Sequence, residues 1–204
     1  MREIAILGAG GHTRSAMTLL KSNFPERIFH IYDESFTVGL NEEILGVSLV
    51  GGLQQIEKET DVFLSIGDNF QRSQYYENYL SQLISKNLIH SQAYLESAVT
   101  LGIANQVYAN VYVNNAVNIG DNNIINTSAI LEHEVCIGSH NHISVGAKLC
   151  GRVSIGSRVF VGSGAVVIDK ITICDDVKIG AGAVVIESIL EPGTYVGNPA
   201  RKIK

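Results

Sequence analysis

The sequence predicts a Rossmann-like α/β domain followed by a parallel β-helix, and three observations lead to this fold class. Aliphatic residues recur every six positions through most of the second half of the chain. The first half instead alternates short apolar runs with helix-like segments, and it begins with an apolar run, a glycine-rich loop and a helix. Residues 1–88 contain nine of the fourteen Phe and Tyr residues, whereas residues 89–204 contain twelve of the twenty glycines. We therefore predict two domains, residues 1–88 and 89–204.

The overall composition argues against a nucleic-acid-binding or membrane protein. Charged residues make up 17% of the 204 residues, the net charge is −5, and no cluster of Lys and Arg offers a surface for phosphates or anionic lipids. No apolar run reaches the ~18–20 residues of a membrane span. The first residues run directly into a strand-like segment, so we expect no signal peptide and a cytoplasmic protein. The three cysteines (Cys136, Cys150 and Cys174) lack CxxC spacing and are expected to be free thiols.

A short strand, a glycine-rich loop and a helix open the N-terminal domain. The strand is predicted at Ile4–Leu7, the loop at Gly8–His12 and the helix near residues 14–22. Backbone N–H groups and a helix N-terminus in this arrangement bind phosphate, which makes Gly10, Gly11 and His12 candidate ligand contacts.

Two further predicted strands of this domain end in polar residues. Residues 28–32 lead into Asp33 and Glu34, whose carboxylates are placed to accept hydrogen bonds from a ribose or a base. A strand at residues 61–66 is followed by Gly67, and Asn69 and Arg72 come next. Ligands of open α/β sheets bind at these carboxyl ends of strands.

The alternative of a dinucleotide site is disfavoured by one residue and by length. The motif G-x-G-x-x-G needs glycine where this chain has Thr13. The predicted sheet is also too short for a full doubly wound fold, so a single nucleotide fits better than a dinucleotide.

The second half carries fifteen consecutive aliphatic positions at steps of six. They are Leu101, Val107, Val113, Ile119, Ile125, Leu131, Ile137, Ile143, Leu149, Ile155, Val161, Val167, Ile173, Ile179 and Val185. A period of six fits a β-helix in which each hexad forms one short strand and a corner. We expect these side chains, and small residues four positions later, to point inward. Gly and Asn are expected at the corners because they tolerate a positive φ. Three hexads per coil predict five coils from Leu101 onward.

A histidine-rich segment within the repeat suggests chemistry. By register, His133 and Glu134 fall two and three residues past an inward leucine, at a corner that brings the two side chains together. A carboxylate against one imidazole nitrogen fixes the tautomer and raises the basicity of the other, as a general base requires. His140 falls on the next corner, and His142 is expected to point outward. A zinc site is the competing hypothesis, but these histidines lack a partner one coil (eighteen residues) away. A purely structural solenoid that supports oligomerisation is a second alternative.

Several segments together resemble a known family. IAILGAGGHTR, SIGDNFQR, LEHEVCIGSHNHISVGAKLCGRVSIG and VGNPARKIK look like the bacterial sugar acetyltransferases of the sialic acid O-acetyltransferase and UDP-N-acetylbacillosamine N-acetyltransferase type. The resemblance covers essentially the whole chain. It implies a left-handed β-helix, a homotrimer with active sites at the subunit interfaces, and acetyl-CoA as co-substrate without a metal.

The resemblance also implies roles for individual residues. Gly10, Gly11, His12, Asp33, Glu34, Gly67, Asn69 and Arg72 would contact the UDP-sugar. His133 would be the general base and Glu134 the residue that raises its basicity. His142, the backbone of Gly151, Ser163, Ala165, Ala181, Pro199 and Arg201 would contact acetyl-CoA, with Lys202 or Lys204 near its phosphates.

The function expected from these observations is acetyl transfer from acetyl-CoA to the amino group of a UDP-4-amino-4,6-dideoxy sugar. O-acetylation of a sialic-acid-like sugar is the alternative within the same family. An NAD(P)-dependent oxidoreductase is disfavoured by the missing third glycine, and a scaffold without catalysis by the pairing of His133 with Glu134.

Overall fold

The computed structural model describes residues 3–39 and 42–203, which belong to two compact units divided between Ser85 and Lys86. Of the residues described, no helix has the length and apolar character needed to cross a bilayer.

The first unit is a sheet of five strands with two helices. Its elements in chain order are β1 (Glu3–Leu7), α1 (Gly11–Asn23), β2 (Ile28–Tyr32), β3 (Glu43–Ile44), β4 (Val47–Gly51), β5 (Asp61–Leu64) and α2 (Asn69–Asn78). The strand order is β3-β4-β2-β1-β5, with β4, β2, β1 and β5 parallel and β3 antiparallel at the edge. The central strand β1 is buried from Ile4 to Leu7, as expected for a parallel strand covered on both faces. The predicted strands and the helix predicted after the glycine-rich loop are confirmed, while the β3–β4 hairpin was not predicted.

The second unit is a left-handed parallel β-helix, as predicted. Its strands are β6 (Leu88–Ile89), β7 (Tyr94–Leu95), β8 (Thr100–Leu101), β9 (Gln106–Val107), β10 (Tyr112–Val113), β11 (Asn118–Ile119), β12 (Ile124–Ile125), β13 (Ile130–Leu131), β14 (Cys136–Ile137), β15 (His142–Ile143), β16 (Lys148–Leu149), β17 (Ser154–Ile155), β18 (Phe160–Val161), β19 (Val166–Val167), β20 (Thr172–Ile173), β21 (Val177–Ile179), β22 (Val184–Val185), β23 (Gly193–Val196) and β24 (Arg201–Lys202). The coils begin earlier than the predicted start at Leu101, because β6 and β7 already stack on the coil that follows them.

The strands form three faces joined by three corners. Within the described residues, face 1 has eight strands (β6 to β24), face 2 six (β7 to β22) and face 3 five (β8 to β20). Corner 1 follows face 1 and includes Ser163 and Ala181. Corner 2 follows face 2 and includes His133, Gly151 and Asp169. Corner 3 follows face 3 and includes Ser139, Ser157 and Asp175.

The aliphatic residues of the period fill the interior, as predicted. From Val107 to Val185 they are at most 5% exposed. Burying each such side chain contributes about 1.5–3 kcal/mol. The small residues four positions later lie inside as well, including Ala129, Ala147, Ala165 and Ala183.

The prediction for the corners is only partly right. Every sixth residue from 104 to 182 has a positive φ, yet most of these residues are neither Gly nor Asn, Glu134 and Arg152 among them. The glycines that follow the aliphatic residues do not have a positive φ. They are needed because neighbouring coils approach closely: a Cβ at Gly138, for example, would lie 2.7 Å from the carbonyl oxygen of Gly156.

A ladder of buried asparagines runs inside corner 3 and was not predicted. Asn87, Asn105, Asn123 and Asn141 lie eighteen residues apart, and each side-chain oxygen accepts a hydrogen bond from the backbone N–H one coil further on. The side-chain N–H groups of Asn105, Asn123 and Asn141 in turn donate to backbone carbonyls. Because the ladder lies inside the coil stack, it satisfies polar groups that have little access to water.

Replacing Asn123 by alanine should destabilise the protein by about 2–4 kcal/mol, because the Asn141 N–H and the Gly138 carbonyl lose their buried partner. Chemical denaturation followed by circular dichroism measures the change. The exposed Asn115→Ala is the control and should change stability by less than about 0.5 kcal/mol. Equal stability of the two variants would contradict a role for the ladder.

Candidate active site

A cavity of about 370 Å³ lies at the carboxyl ends of β1, β2 and β5 in the first unit. It is lined by Gly8, Gly10, Gly11, His12, Asp33, Glu34, Leu53, Ser65, Ile66, Gly67, Asp68, Gln71 and Tyr75. Six predicted residues therefore lie together: Gly10, Gly11, His12, Asp33, Glu34 and Gly67. The Ser65 hydroxyl is buried at this cavity and has no hydrogen-bond partner among the described residues.

The glycine-rich loop is held in shape by Thr13. Gly8 has φ +108, and a Cβ there would lie 2.9 Å from the carbonyl oxygen of Ser65, so only glycine fits. The buried Thr13 hydroxyl donates a 2.7 Å hydrogen bond to the Gly8 carbonyl. Thr13, which stands where the dinucleotide motif has its third glycine, thus stabilises the loop through its side-chain hydroxyl.

The N-terminus of α1 is left open towards the cavity. Gly10 has an ordinary φ of −79, and a Cβ at Gly10 or Gly11 would meet nothing within 4 Å, so neither backbone conformation nor packing explains these two glycines. The first turn of α1 carries no acidic residue, whereas α2 is capped by Asp68, whose carboxylate accepts from the Gln71 N–H. The open helix end and the missing side chains fit an anionic group such as phosphate.

Two carboxylates and a tyrosine also line this cavity. Asp33 accepts hydrogen bonds from the Ala9 N–H at 2.7 Å and from the amide and hydroxyl of Ser35. Burial works against ionisation, but these hydrogen bonds outweigh it and lower the pKa of Asp33. The Tyr75 hydroxyl donates to Glu34, and burial together with this bond raises the pKa of Tyr75 to about 12. Asp33 is therefore ionised and fixed at neutral pH, and Tyr75 is a protonated donor.

Asn69 and Arg72 are not among the residues that line the cavity, and their contact with a ligand stays a prediction. Both side chains are buried. The Arg72 guanidinium donates to the carbonyls of Ile66 and Gly67 and to the Asn69 side chain. The pair positions the loop after β5 from behind. Which side of α2 faces the cavity could not be deduced from the sequence, so Gln71 and Tyr75 were missed as lining residues. Asp68 directly follows the loop after β5 and was open to prediction.

The second candidate region is corner 2 of the β-helix, where His133 and Glu134 meet. Glu134 has φ +62, and this turn brings its carboxylate to 3.2 Å from Nδ1 of the half-exposed His133. The predicted pairing at a corner is thus observed. A neutral imidazole that donates from Nδ1 keeps its lone pair on Nε2.

Gly151 and Asp169 follow His133 at the same corner, one and two coils further on. A Cβ at Gly151 would lie 2.6 Å from Nε2 of His133 and 3.1 Å from Oδ1 of Asp169. The absent side chain therefore makes the space in which the His133 ring lies. Asp169 forms a bidentate ion pair with Arg152, whose hydrogen bonds lower the pKa of the Asp169 carboxyl.

The residues expected to line the coenzyme path are divided between corner 1 and the interior. Ser163 and Ala181 are exposed, one coil apart, at corner 1. Ala165 is fully buried in the core, so its side chain does not reach the outer surface, and contact of this residue with acetyl-CoA stays a prediction. Small residues four positions past an aliphatic one fill the interior.

The other predicted histidines are not brought to His133 within one chain. His142 lies on face 1, which is opposite corner 2, next to the inward Ile143, and it is only 8% exposed because neighbouring side chains cover it. Its Nε2 lies 3.1 Å from the Asn126 amide, and its ring packs edge-on against Phe160. His140 lies at corner 3, 2.9 Å from Asn122.

Pro199 and Arg201 belong to the C-terminal segment that closes the β-helix. Both are exposed, and Arg201 borders a cavity of about 140 Å³ between β22 and β24. Lys202 pairs with Glu191, and Lys204 lies outside the described residues. Among the residues described, no group of three or more His, Cys, Asp or Glu is arranged to hold a metal ion, and the three cysteines are unpaired thiols.

Two family models match the chain. The PglD N-terminal domain matches residues 3–79, and the bacterial transferase hexapeptide (six repeats) matches residues 152–187. A search of curated proteins gave no match.

Solved structures match along the whole length. A histidine-to-asparagine variant of perosamine N-acetyltransferase from Caulobacter crescentus, in complex with CoA and GDP-perosamine, is 31% identical, with a TM-score of 0.92 over 100% of this chain and 98% of that chain. The acetyltransferase domain of PglB from Neisseria gonorrhoeae, in complex with acetyl coenzyme A, is 28% identical, with a TM-score of 0.88 over 99% of each chain. WeeI from Acinetobacter baumannii, at 19% identity and a TM-score of 0.66 over the full length of both chains, shows the shared fold alone.

Proposed function

Because the chain belongs to the sugar N-acetyltransferase family, we propose that it transfers acetyl from acetyl-CoA to the amino group of a UDP-4-amino-4,6-dideoxy sugar. The observation that carries this proposal is the His133–Glu134 pair beside Gly151 at corner 2. Acetyl-CoA is the co-substrate, and no step of the proposed reaction needs a metal.

In the proposed mechanism His133 is the general base. A sugar amine is mostly ammonium at neutral pH and attacks only after losing a proton. The ammonium form first releases one proton to water. Glu134 accepts a hydrogen bond from Nδ1–H of His133, so Nε2 takes a second proton from the neutral amine as its nitrogen attacks the thioester carbonyl. The carbonyl oxygen becomes an oxyanion, which the Gly151 N–H stabilises. Collapse of the intermediate breaks the C–S bond, and the CoA thiolate takes the proton from His133.

His133→Ala should lower kcat by about 10²–10⁴-fold, because the base is removed while the oxyanion donor remains. Release of free CoA thiol with acetyl-CoA and a UDP-amino sugar measures the rate. His140→Ala is the matched control, a histidine in a neighbouring turn that should leave the rate unchanged. A His133→Ala rate equal to wild type would contradict the base assignment.

The nucleotide is proposed to bind in the cavity of the first unit. Its phosphates would face the N-terminus of α1 at Gly10, Gly11 and His12, and its ribose or base would face Asp33 and Glu34. Support comes from the two glycines, which nothing inside the protein requires, and from the fixed, ionised Asp33. UDP is expected from the family resemblance, while the Caulobacter relative was solved with GDP-perosamine.

Gly10→Ala should weaken nucleotide-sugar binding by roughly tenfold or more, because the new methyl group occupies space beside the helix end. Isothermal titration calorimetry with matched UDP- and GDP-amino sugars measures the affinity and identifies the preferred nucleotide. The melting temperature and the KM for acetyl-CoA should not change, since a Cβ at this position touches nothing. An unaltered nucleotide affinity would contradict the proposal that the phosphates bind at this helix end.

The active site is proposed to be completed by neighbouring copies in a homotrimer. Within one chain, corner 2 with His133 is separated from His142 on the opposite face and from Ser163 and Ala181 at corner 1. Support comes from this division: packing copies side by side is the arrangement that brings such residues to His133.

Sedimentation equilibrium should therefore give a mass three times that of the 22.0 kDa chain. Because the proposed site is shared between copies, specific activity should also fall when dilution dissociates the trimer. A fully active monomer would contradict the shared site.

A further inference from the structure

Each corner contains a two-residue turn, such as Ser157 and Arg158 at corner 3. In several of these turns a side chain accepts a hydrogen bond from the backbone N–H of the first of the two residues. In corner 3 an aspartate one coil further on does this twice: Asp121 Oδ1 accepts from the Ile103 N–H at 2.7 Å, and Asp175 Oδ1 accepts from the Ser157 N–H at 2.9 Å. An aspartate at the first turn position is thus placed to cap the amide eighteen residues before it.

Asp169 stands in the same position relative to Gly151 but does not cap it. It lies at the first turn position of corner 2, one coil after Gly151, with Oδ1 3.1 Å from where a Gly151 Cβ would be. Within the described part of the chain, no hydrogen bond joins the Gly151 N–H to Asp169, although the carboxylate lies beside this residue.

The ion pair with Arg152 accounts for the difference. Arg152 Nη2 lies 3.0 and 2.8 Å from the two Asp169 oxygens, and Nε lies 3.2 Å from Oδ1. In corner 3 the equivalent Arg158 makes its hydrogen bonds instead to Asp176, the second turn residue one coil on. Its Nη2 also lies 3.5 Å from Oδ2 of Asp175, whose Oδ1 still caps Ser157. Corner 2 has Lys170 at that second position, so Arg152 pairs with Asp169.

We propose that Arg152 is a positioning residue that holds Asp169 away from the Gly151 amide, leaving this N–H for the thioester oxyanion. The inference rests on the proposed function, in which Gly151 supplies that donor. Without Arg152, Asp169 turns to cap Gly151 as Asp175 caps Ser157, and the donor is lost. Since a single oxyanion donor contributes about 10²–10³ to kcat, the cost falls on kcat rather than on the KM for acetyl-CoA.

Two double variants distinguish capping of the Gly151 N–H from loss of the charges of the Arg152–Asp169 ion pair. Arg152→Ala should lower kcat by about tenfold to a hundredfold. Adding Asp169→Ala should restore most of the activity, because alanine cannot accept the Gly151 N–H. Adding Asp169→Asn should not restore it, because the asparagine oxygen still caps the amide while the charge of the pair is equally removed.

Arg158→Ala is the matched control, an arginine in the same turn position of corner 3, and should leave kcat unchanged. The side chains replaced in these variants are all exposed or half-buried, and circular dichroism checks that each variant folds. Equal activity of the two double variants would overturn the proposal, as would an Arg152→Ala loss confined to KM.

Amide hydrogen exchange at Gly151 gives a readout that does not depend on activity. The amide should exchange more slowly in Arg152→Ala than in wild type, and fast again in the Arg152→Ala/Asp169→Ala variant. If the wild type transfers no acetyl group to any nucleotide-linked amino sugar, the proposed function fails, and the exchange rates still decide whether Arg152 controls Asp169. Identical exchange in all three proteins would overturn the inference even in an active enzyme.

Discussion

The stacking of coils at eighteen-residue intervals is the constraint on which the β-helix and its candidate site depend. Each residue meets the residue one coil before and one coil after it, in a column that runs along a face or a corner. Whether a side chain fits at a position therefore depends on two neighbours that are eighteen residues away in the sequence. The column of His133, Gly151 and Asp169 is a direct consequence: the ring has room only because the next residue in the column has no side chain.

The period of six was enough to predict the interior of the β-helix, because inward positions depend only on spacing and hydrophobicity. The corners were harder to predict. Glycine was expected where φ is positive, yet Glu134 and Arg152 adopt this conformation, since the continuous stack of hydrogen bonds fixes the backbone at a cost of about 1–2 kcal/mol per residue. Glycine is required instead where two coils approach closely, as at Gly138, and this contact is invisible without the eighteen-residue column. The asparagine ladder carries the same spacing and was open to discovery from sequence.

In the N-terminal domain, the strand ends were predictable and the side-chain directions were not. Asp33 and Glu34 follow a buried strand, so their place at the cavity follows from topology. Arg72 follows the next strand end too, but it lies on a helix, where a difference of one residue changes direction by about 100°. Its burial behind the loop, with Asn69 as partner, is decided by tertiary packing. Both residues still serve the cavity, from behind its wall.

Corners 2 and 3 both place an arginine one residue after the amide in question and an aspartate one coil further on, yet only corner 3 caps that amide. Ser157 is capped by an aspartate, whereas Gly151 has no side-chain acceptor among the described residues. A capped amide adds about 0.5–1.5 kcal/mol to stability, so corner 2 gives up a stabilising contact that its own Asp169 is placed to make. At the second turn position one coil on, corner 2 has Lys170 where corner 3 has Asp176, and the arginine makes its hydrogen bonds to Asp169 in corner 2 and to Asp176 in corner 3. The corner where His133 and Glu134 meet thus lacks the aspartate cap that stabilises corner 3. Function is expected at sites that depart from the contacts stabilising the rest of their fold.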